Sequence, residues 1–247
     1  MGKLEAQVQS EYDYTSTAFE EGVFVSEAKH SKLPLLSTGL NIQSWRYQHA
    51  KRWVDVAGSL IMILVSLIPG LLIAALIALT SEGPVFYRET RIGHAGHPFR
   101  IWKFRSMSHA AQWQEVVKAG SSDGTFLHWR VHKSLSDPRI TPVGGFLRRW
   151  SLDELPQVLN VLRGEMSLIG PRPVVAAEVP LYGHLQHFYL AATPGLSGLW
   201  QVSGRSNVSF AARANLDASY VRNWSLATDF SILLRTIPAV LGRVGAR

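Results

Sequence analysis

Val56-Ala57-Gly58-Ser59-Leu60-Ile61-Met62-Ile63-Leu64-Val65-Ser66-Leu67-Ile68-Pro69-Gly70-Leu71-Leu72-Ile73-Ala74-Ala75-Leu76-Ile77-Ala78-Leu79 is a run of 24 residues without a charge. As a straight helix it would span roughly 36 Å at about 1.5 Å per residue. The hydrocarbon core of a bilayer is about 30 Å thick, so the run is long enough to enter a membrane, and a buried helix of a soluble protein competes poorly at this length. Pro69-Gly70 interrupts it: proline removes a backbone hydrogen bond and bends a helix. The two arms, 13 and 10 residues long, are each too short to cross alone. Positive charge flanks both ends, Lys51 and Arg52 before and Arg88 and Arg91 after, which favours both ends on the cytoplasmic side. A re-entrant helical hairpin satisfies both facts. A kinked single span is the alternative, and the residues alone leave the two open.

Working outward, residues 1–45 form a mixed Ser, Thr, Glu and Gln stretch with no sustained period, expected as a disordered cytoplasmic tail. It holds no apolar core behind a basic start and so does not resemble a signal peptide. Residues 46–80 are the membrane segment, and residues 81–247 are long enough for one packed domain. Charge is uneven. The first 50 residues carry a net charge of −2 and the remainder +9, within a total of +7 over 247 residues. A body that basic calls for an anionic partner: nucleic acid, phospholipid or a phosphorylated substrate. Nucleic acid is disfavoured, because it leaves the apolar run unexplained. The chain has no cysteine, which excludes disulfide scaffolds, thiolate metal sites and cysteine nucleophiles. Only 17% of residues are charged, against roughly 25% in an average soluble domain.

The domain reads as mixed α and β without a regular βαβ alternation. Gly83-Pro84 leads into a short strand, and Phe99–Phe104 alternates like a half-buried strand. Leu155, Val158, Leu159 and Leu162 recur at helical spacing before Gly164. From Val221 to about Leu241 the pattern is helical. There is no G-x-G-x-x-G loop and no Walker loop, so nicotinamide and P-loop chemistry are disfavoured.

Chemistry concentrates between Arg148 and Arg172, around Ser151-Leu152-Asp153-Glu154-Leu155-Pro156-Gln157. Ser151 and Glu154 match a capping box, although Pro156 moves the expected cap toward Asp153 itself. Two adjacent carboxylates beside arginines also suit phosphoryl transfer. One can attack phosphorus to form an acyl phosphate, the other can hold Mg²⁺, and arginines supply charge-assisted phosphate contacts. Capping and chemistry both remain open on residue types alone. A second cluster, Pro194-Gly195 through Gly204-Arg205, offers glycines for close backbone approach, Trp200 as a wall and Arg205 for a phosphate; an ordinary loop with a core tryptophan is the plainer account. His94 and His97 lie in a turn without metal spacing. Asp217 and Tyr220, three apart on one helix face, suggest a local hydrogen bond.

Taken in order, Lys51-Arg52-x-x-Asp55, the apolar segment, Gly83-Pro84-Val85-Phe86, Lys103-Phe104-Arg105-Ser106-Met107, Asp137-Pro138-Arg139-Ile140-Thr141, Ser151–Gln157, Gly170-Pro171-Arg172-Pro173 and Pro194–Arg205 resemble the bacterial sugar transferase family of monotopic phosphoglycosyl transferases. The resemblance covers about residues 46–247, and is nearest to the short exopolysaccharide-initiating members that act on undecaprenyl phosphate. It implies a re-entrant membrane helical hairpin followed by a small cytosolic α+β catalytic domain with amphipathic interfacial helices. It also implies transfer of galactose or glucose 1-phosphate from a UDP-sugar to undecaprenyl phosphate, with release of UMP, at the cytoplasmic face of a bacterial inner membrane.

Carried over residue by residue, Asp153 is the implied nucleophile and Glu154 the Mg²⁺ ligand. Arg148, Arg172 and Arg205 are implied to hold phosphates, with Pro171, Pro173, Gln201 and Gly204 in the substrate-binding loops. The implied partners are the UDP-sugar, undecaprenyl phosphate and inner-membrane lipids; a second copy of the chain is left open. One departure is visible: relatives often carry Ser directly before the kink proline, where Ile68 stands here. A non-catalytic membrane scaffold of a polysaccharide assembly complex is the rival reading, and it has no need of both acids.

Overall fold

A computed structural model of the protein describes Ile42 and residues 44–108, 139–204 and 208–242. The expected tail, the Asp137-Pro138 motif and Arg205 lie outside the described residues, apart from Ile42, Ser44 and Trp45 at the end of the tail. A π-helical turn, Arg46–Ala50, leads into α1, Lys51–Thr80. This helix of 30 residues contains Pro69, and the expected division into two arms is not seen as two helices. Its middle is bare: Leu64 is 76% exposed, and Ile61, Val65, Ile68 and Leu72 face outward with it. Water does not tolerate such a surface, whereas lipid does, so α1 marks a membrane-associated protein.

Polar contacts hold the foot of α1. Arg52 donates to the carbonyls of Val161 and Leu162, both at 2.6 Å, in the last turn of α3, Val158–Arg163. Asp55 Oδ1 accepts from Ser167 Oγ and the Leu168 amide at 2.9 Å. Lys51 reaches Asp229 at 2.7 Å, and the same carboxylate accepts from the Tyr220 hydroxyl and the Trp224 indole. Farther along, Ile73, Ala74 and Ile77 pack on Phe104 and Leu147, and the buried Arg105 donates to the carbonyls of Pro84 and Ser81 just beyond the helix.

Two strands follow, β1, Phe86–Ile92, and β2, Pro98–Phe104, antiparallel with Arg88 opposite Trp102 and Glu89 opposite Ile101. Because side chains alternate, one face carries Phe86, Arg88, Trp102 and Phe104, with the Arg88 guanidinium 3.6 Å from the Trp102 ring centre. The other face carries Glu89, Arg91, Ile101 and Lys103. His94 and Gly96 bound the tight turn that joins the strands.

Next comes α2, Pro142–Arg149, capped by Thr141, whose hydroxyl accepts from the Gly144 amide. A parallel pair, β3, Ser167–Ile169, and β4, Gly195–Ser197, lies behind the acid-bearing turn. Glycine is required there, since a Cβ on Gly195 would sit 2.0 Å from the Gly170 nitrogen. Between the two strands runs α4, Gln186–Ala191; after them come α5, Leu199–Val202, α6, Phe210–Arg222, and α7, Leu226–Leu241.

Two expected patterns shift. Leu159 is exposed, whereas Asn160 is fully buried. Residues Leu152–Gln157 wind as a 3₁₀ helix, and its period of three rotates the following α-turn away from the face expected at 3.6. Asn160 is satisfied there: it donates to the Arg100 carbonyl and Glu165 and accepts from the Trp102 amide. The helix expected from Val221 is interrupted between α6 and α7, where Trp224 is buried and Ser225 caps α7 through the Thr228 amide. Along α7, Leu226, Phe230, Leu233, Leu234 and Ile237 are exposed, while Asp229 and Ile232 are buried; the helix is amphipathic.

Replacing Lys51 with Met leaves a buried carboxylate without its counter-ion, and breaking such a pair typically costs about 3–5 kcal/mol. Unfolding of Lys51→Met in detergent should shift accordingly, and adding Asp229→Leu should recover part of the loss. An unchanged melting temperature in the single variant would contradict the anchoring role.

Candidate active site

The acid pair sits where α2 turns back on itself. Ser151, after Trp150, adopts a left-handed backbone, φ 56° and ψ 23°, which costs a non-glycine residue about 1–2 kcal/mol. Such strain concentrates at functional sites. The Ser151 side chain makes no capping bond, so the capping-box reading is overturned. Asp153 is not the N-cap either; it lies inside the first turn of the 3₁₀ helix, nearly buried. Pro156 is accommodated within that short helix. Both carboxylates are therefore left for something other than capping.

A cleft opens between the inner face of the hairpin, the acid-bearing turn and the two glycine loops. Arg91, Ile101, Lys103, Glu154, Gln157, Arg172, Pro173, Leu196 and Gln201 line it. Lys103 Nζ donates to Glu154 Oε1 at 3.3 Å, and Arg172 Nη2 lies 4.0 Å from the same oxygen. Burial pushes the Glu154 carboxyl up, but the charges of Lys103, Arg172 and Arg91 outweigh it and hold the group below its ordinary range. Asp153 goes the other way. Burial and the neighbouring Glu154 raise it, with Lys103 and Arg148 pulling back. The surroundings thus drive two adjacent carboxyls in opposite directions. Glu89, paired with Arg91 at 2.5 Å, is likewise held low; burial acts against it and the charges of Arg91, Lys103 and Arg172 prevail.

Glu154, Arg172, Pro173 and Gln201 share the cleft, and Asp153 adjoins Glu154 in the same turn. Arg148 stands behind the pair, its Nε donating to Ser106 Oγ at 2.9 Å. Pro171 serves through its backbone, accepting from the Gly195 amide at 2.7 Å. Gly204, at φ 132°, follows α5 and does not line the cleft. Glu89 and Arg91 carry no sequence motif of their own, and Lys103 and Gln157 belong to motifs without a role assigned to them there. The strand alternation that puts Lys103 on the face of Ile101 is the signal that reveals it.

Mg²⁺ takes one or two carboxylates and completes its shell with water and phosphate oxygens. Among the described residues no three His, Cys, Asp or Glu side chains gather into a protein-only cage. An ionised Glu154 beside a second acid fits the looser requirement.

Behind the cleft, Trp200 is buried between cations: the Arg172 and Arg213 guanidinium groups lie 5.7 and 5.0 Å from its ring centre. Arg213 is held by Asp217 at 3.8 Å and reaches the Arg172 carbonyl at 3.4 Å, and Tyr182 donates to Asp217 at 2.8 Å. The expected local Asp217–Tyr220 bond is replaced by these longer-range ones, Tyr220 turning instead to Asp229 and the Ile169 carbonyl.

Residues 46–243 match the family model described as bacterial sugar transferase. The exopolysaccharide production protein ExoY of Sinorhizobium fredii is 48% identical over 195 residues, which is 77% of this chain and 85% of that one. The undecaprenyl-phosphate galactose phosphotransferase of Salmonella typhimurium is 41% identical over 215 residues, covering 86% of this chain and 44% of the relative. The UDP-glucose:undecaprenyl-phosphate glucose-1-phosphate transferase of Escherichia coli is 38% identical over 197 residues, 76% of this chain and 39% of that protein. The chain thus spans less than half of the two phosphotransferases.

Burial raises the Asp217 carboxyl to about 6, against the pull of Arg213 and the Tyr182 hydrogen bond. Between pH 4 and 6 the folded protein therefore binds a proton that the unfolded chain does not, so this group's contribution to stability falls as pH rises through that window. At about 1.4 kcal/mol per unit, the loss approaches about 3 kcal/mol. Melting curves of the parent and Asp217→Asn across pH 4–7 should differ in slope, the variant lacking this decline; parallel curves would refute it.

Proposed function

This chain belongs to the bacterial sugar transferase family, and from that membership together with the cation-flanked acid pair we infer its activity. It transfers a hexose 1-phosphate, galactose or glucose, from a UDP-sugar to undecaprenyl phosphate with release of UMP, the membrane step that initiates exopolysaccharide synthesis. The observation that carries the reading is the acid pair set among cations: Lys103 Nζ lies 3.3 Å and Arg172 Nη2 4.0 Å from Glu154, with Asp153 beside it in the same turn.

In this mechanism an Asp153 carboxylate oxygen attacks the sugar-bearing phosphorus. The bond from that phosphorus to the bridging oxygen breaks, UMP leaves with the electron pair, and the hexose phosphate remains on Asp153 as an acyl phosphate. A phosphate oxygen of undecaprenyl phosphate then attacks the same phosphorus and expels the Asp153 carboxylate. Burial makes that carboxylate more basic than an exposed one, while the nearby cations favour its ionised form. Lys103, Arg148 and Arg172, with Arg205, meet the charge of the donor's phosphates. Glu154 would hold Mg²⁺, which when bound neutralises diphosphate charge. Pro171, Pro173, Gln201 and Gly204 shape the loops around the donor.

We read α1 as re-entrant, with its exposed middle in one leaflet and the body at the cytoplasmic face of the inner membrane. Contacts at both ends support this. Lys51, Arg52 and Asp55 at one end, and Ile77 and Ser81 at the other, bond to or pack on the same body. A helix spanning the bilayer would carry one of those ends about 30 Å away. The exposed apolar row of α7 would lie in the interface, and the basic body suits anionic headgroups.

Purified protein with undecaprenyl phosphate and Mg²⁺ should release UMP from UDP-galactose or UDP-glucose. Asp153→Asn should lose at least about 10³-fold in turnover, and a label in the sugar phosphate should bind covalently to the parent but not to this variant. Chelating Mg²⁺ should stop turnover. No UMP from any UDP-sugar, under conditions where a known relative works, would overturn the assignment.

The absence of native cysteine permits a direct topology test. Gln48→Cys and Glu82→Cys, placed at the two ends of α1, should both react with an impermeant thiol reagent from the cytoplasmic side of inverted vesicles. Labelling from opposite sides would make α1 a span.

A further inference from the structure

Two amides in the cleft have hydrogen-bonding capacity that the protein leaves unused. Gln157 is only 3% exposed, yet lines the cleft, and its side chain forms no hydrogen bond among the described residues. Residues three apart eclipse in a 3₁₀ helix, so Gln157 follows Glu154 on one face, about 6 Å along the axis. Gln201 enters from α5. Its Oε1 is buried without a partner, and its Nε2 makes only a long contact, 3.4 Å, to the Leu196 carbonyl. Gly198 leaves room for that amide, because a Cβ there would lie 2.7 Å from Gln201 Oε1 and 2.2 Å from the Gly170 carbonyl oxygen. A buried amide oxygen without a partner is costly and uncommon, and Gln201 Oε1, with the unbonded Gln157 amide open to the same cleft, points to a ligand that completes them.

We propose that Gln157 and Gln201 read the hydroxyl groups of the donor's hexose, an inference that rests on the cleft being the donor site. The charged lining residues are poorly suited to this. Arg91, Lys103 and Arg172 only donate, and an ionised Glu154 only accepts, whereas an amide does both, as does a sugar hydroxyl. Distance favours the sugar over the base. The hexose is joined through one oxygen to the phosphorus that Asp153 attacks, while uracil lies beyond a second phosphate and a ribose. A group about one 3₁₀ turn from the acid pair is within reach of the hexose. Galactose and glucose differ in the orientation of one hydroxyl, and amides in these positions decide which arrangement is completed.

The test compares affinities of the full-length protein in lipid nanodiscs, with Mg²⁺, for UDP-hexose and for UDP. Gln157→Met and Gln201→Met should each weaken UDP-hexose binding by about 10-fold and leave UDP affinity within about twofold. With the unaltered protein, at least one monodeoxy UDP-hexose should lose a similar factor, and that loss should vanish in the variant lacking its partner amide. Parallel weakening of UDP and UDP-hexose in both variants, or equal binding of every deoxy analogue to the unaltered protein, would overturn the proposal. Failure of the transferase reading is separate: it shows as absent UMP release, whereas sugar-dependent binding alone decides the role of the amides.

Discussion

Much of this structure depends on how a helix that the body cannot cover is held to the body. The middle of α1 exposes Leu64, Val65 and Ile68, so apolar packing contributes nothing there. The grip comes from three charged side chains at its foot, each bonded to a different element: Arg52 to the end of α3, Asp55 to β3, and Lys51 to Asp229 of α7. Buried, charge-assisted hydrogen bonds are directional and strong where water is excluded. They therefore set the orientation of α1 as well as its attachment. Because α3 continues directly from the acid-bearing turn, and β3 leads into Gly170-Pro171-Arg172, the same contacts position both sides of the cleft relative to the membrane segment.

The excess positive charge of the body becomes local at the cleft. Arg91, Lys103, Arg148 and Arg172 surround two carboxyls and one further acid, Glu89, so that Glu154 and Glu89 are held low while Asp153 remains high. Under the proposed function these cations meet an anionic substrate, and the shielded Asp153 carboxyl attacks it. The Trp200 layer behind it carries two guanidinium groups on one ring, an arrangement that is bearable because Asp217 balances Arg213.

Elements whose signal is local were legible in the residues. An uncharged run of membrane length, two short strand segments, and an acid pair beside arginines depend on neighbours a few positions away. The local pattern gives way where a distant partner overrides it. Leu159 and Asn160 exchanged burial because a 3₁₀ turn changed the phase and because Arg100 and Trp102 satisfied the amide. Asp217 and Tyr220 face one side of α6, as their spacing requires, but Tyr182 and Asp229 offer better partners than each other.

By itself the sequence determined that this protein is membrane-associated, that its body is basic and mixed α/β, and that Asp153 and Glu154 are the leading candidates for chemistry. Those conclusions follow from hydrophobicity, period and residue type, which are properties of short stretches. Only the tertiary structure decided that neither acid is a helix cap, that Lys103 and Arg172 meet at Glu154, and that Gln157 faces the same cleft as Gln201. Such pairings join residues from about 18 to about 51 positions apart. They are chosen by packing and by the cost of leaving buried polar groups unsatisfied, and neither is written in any one stretch of chain.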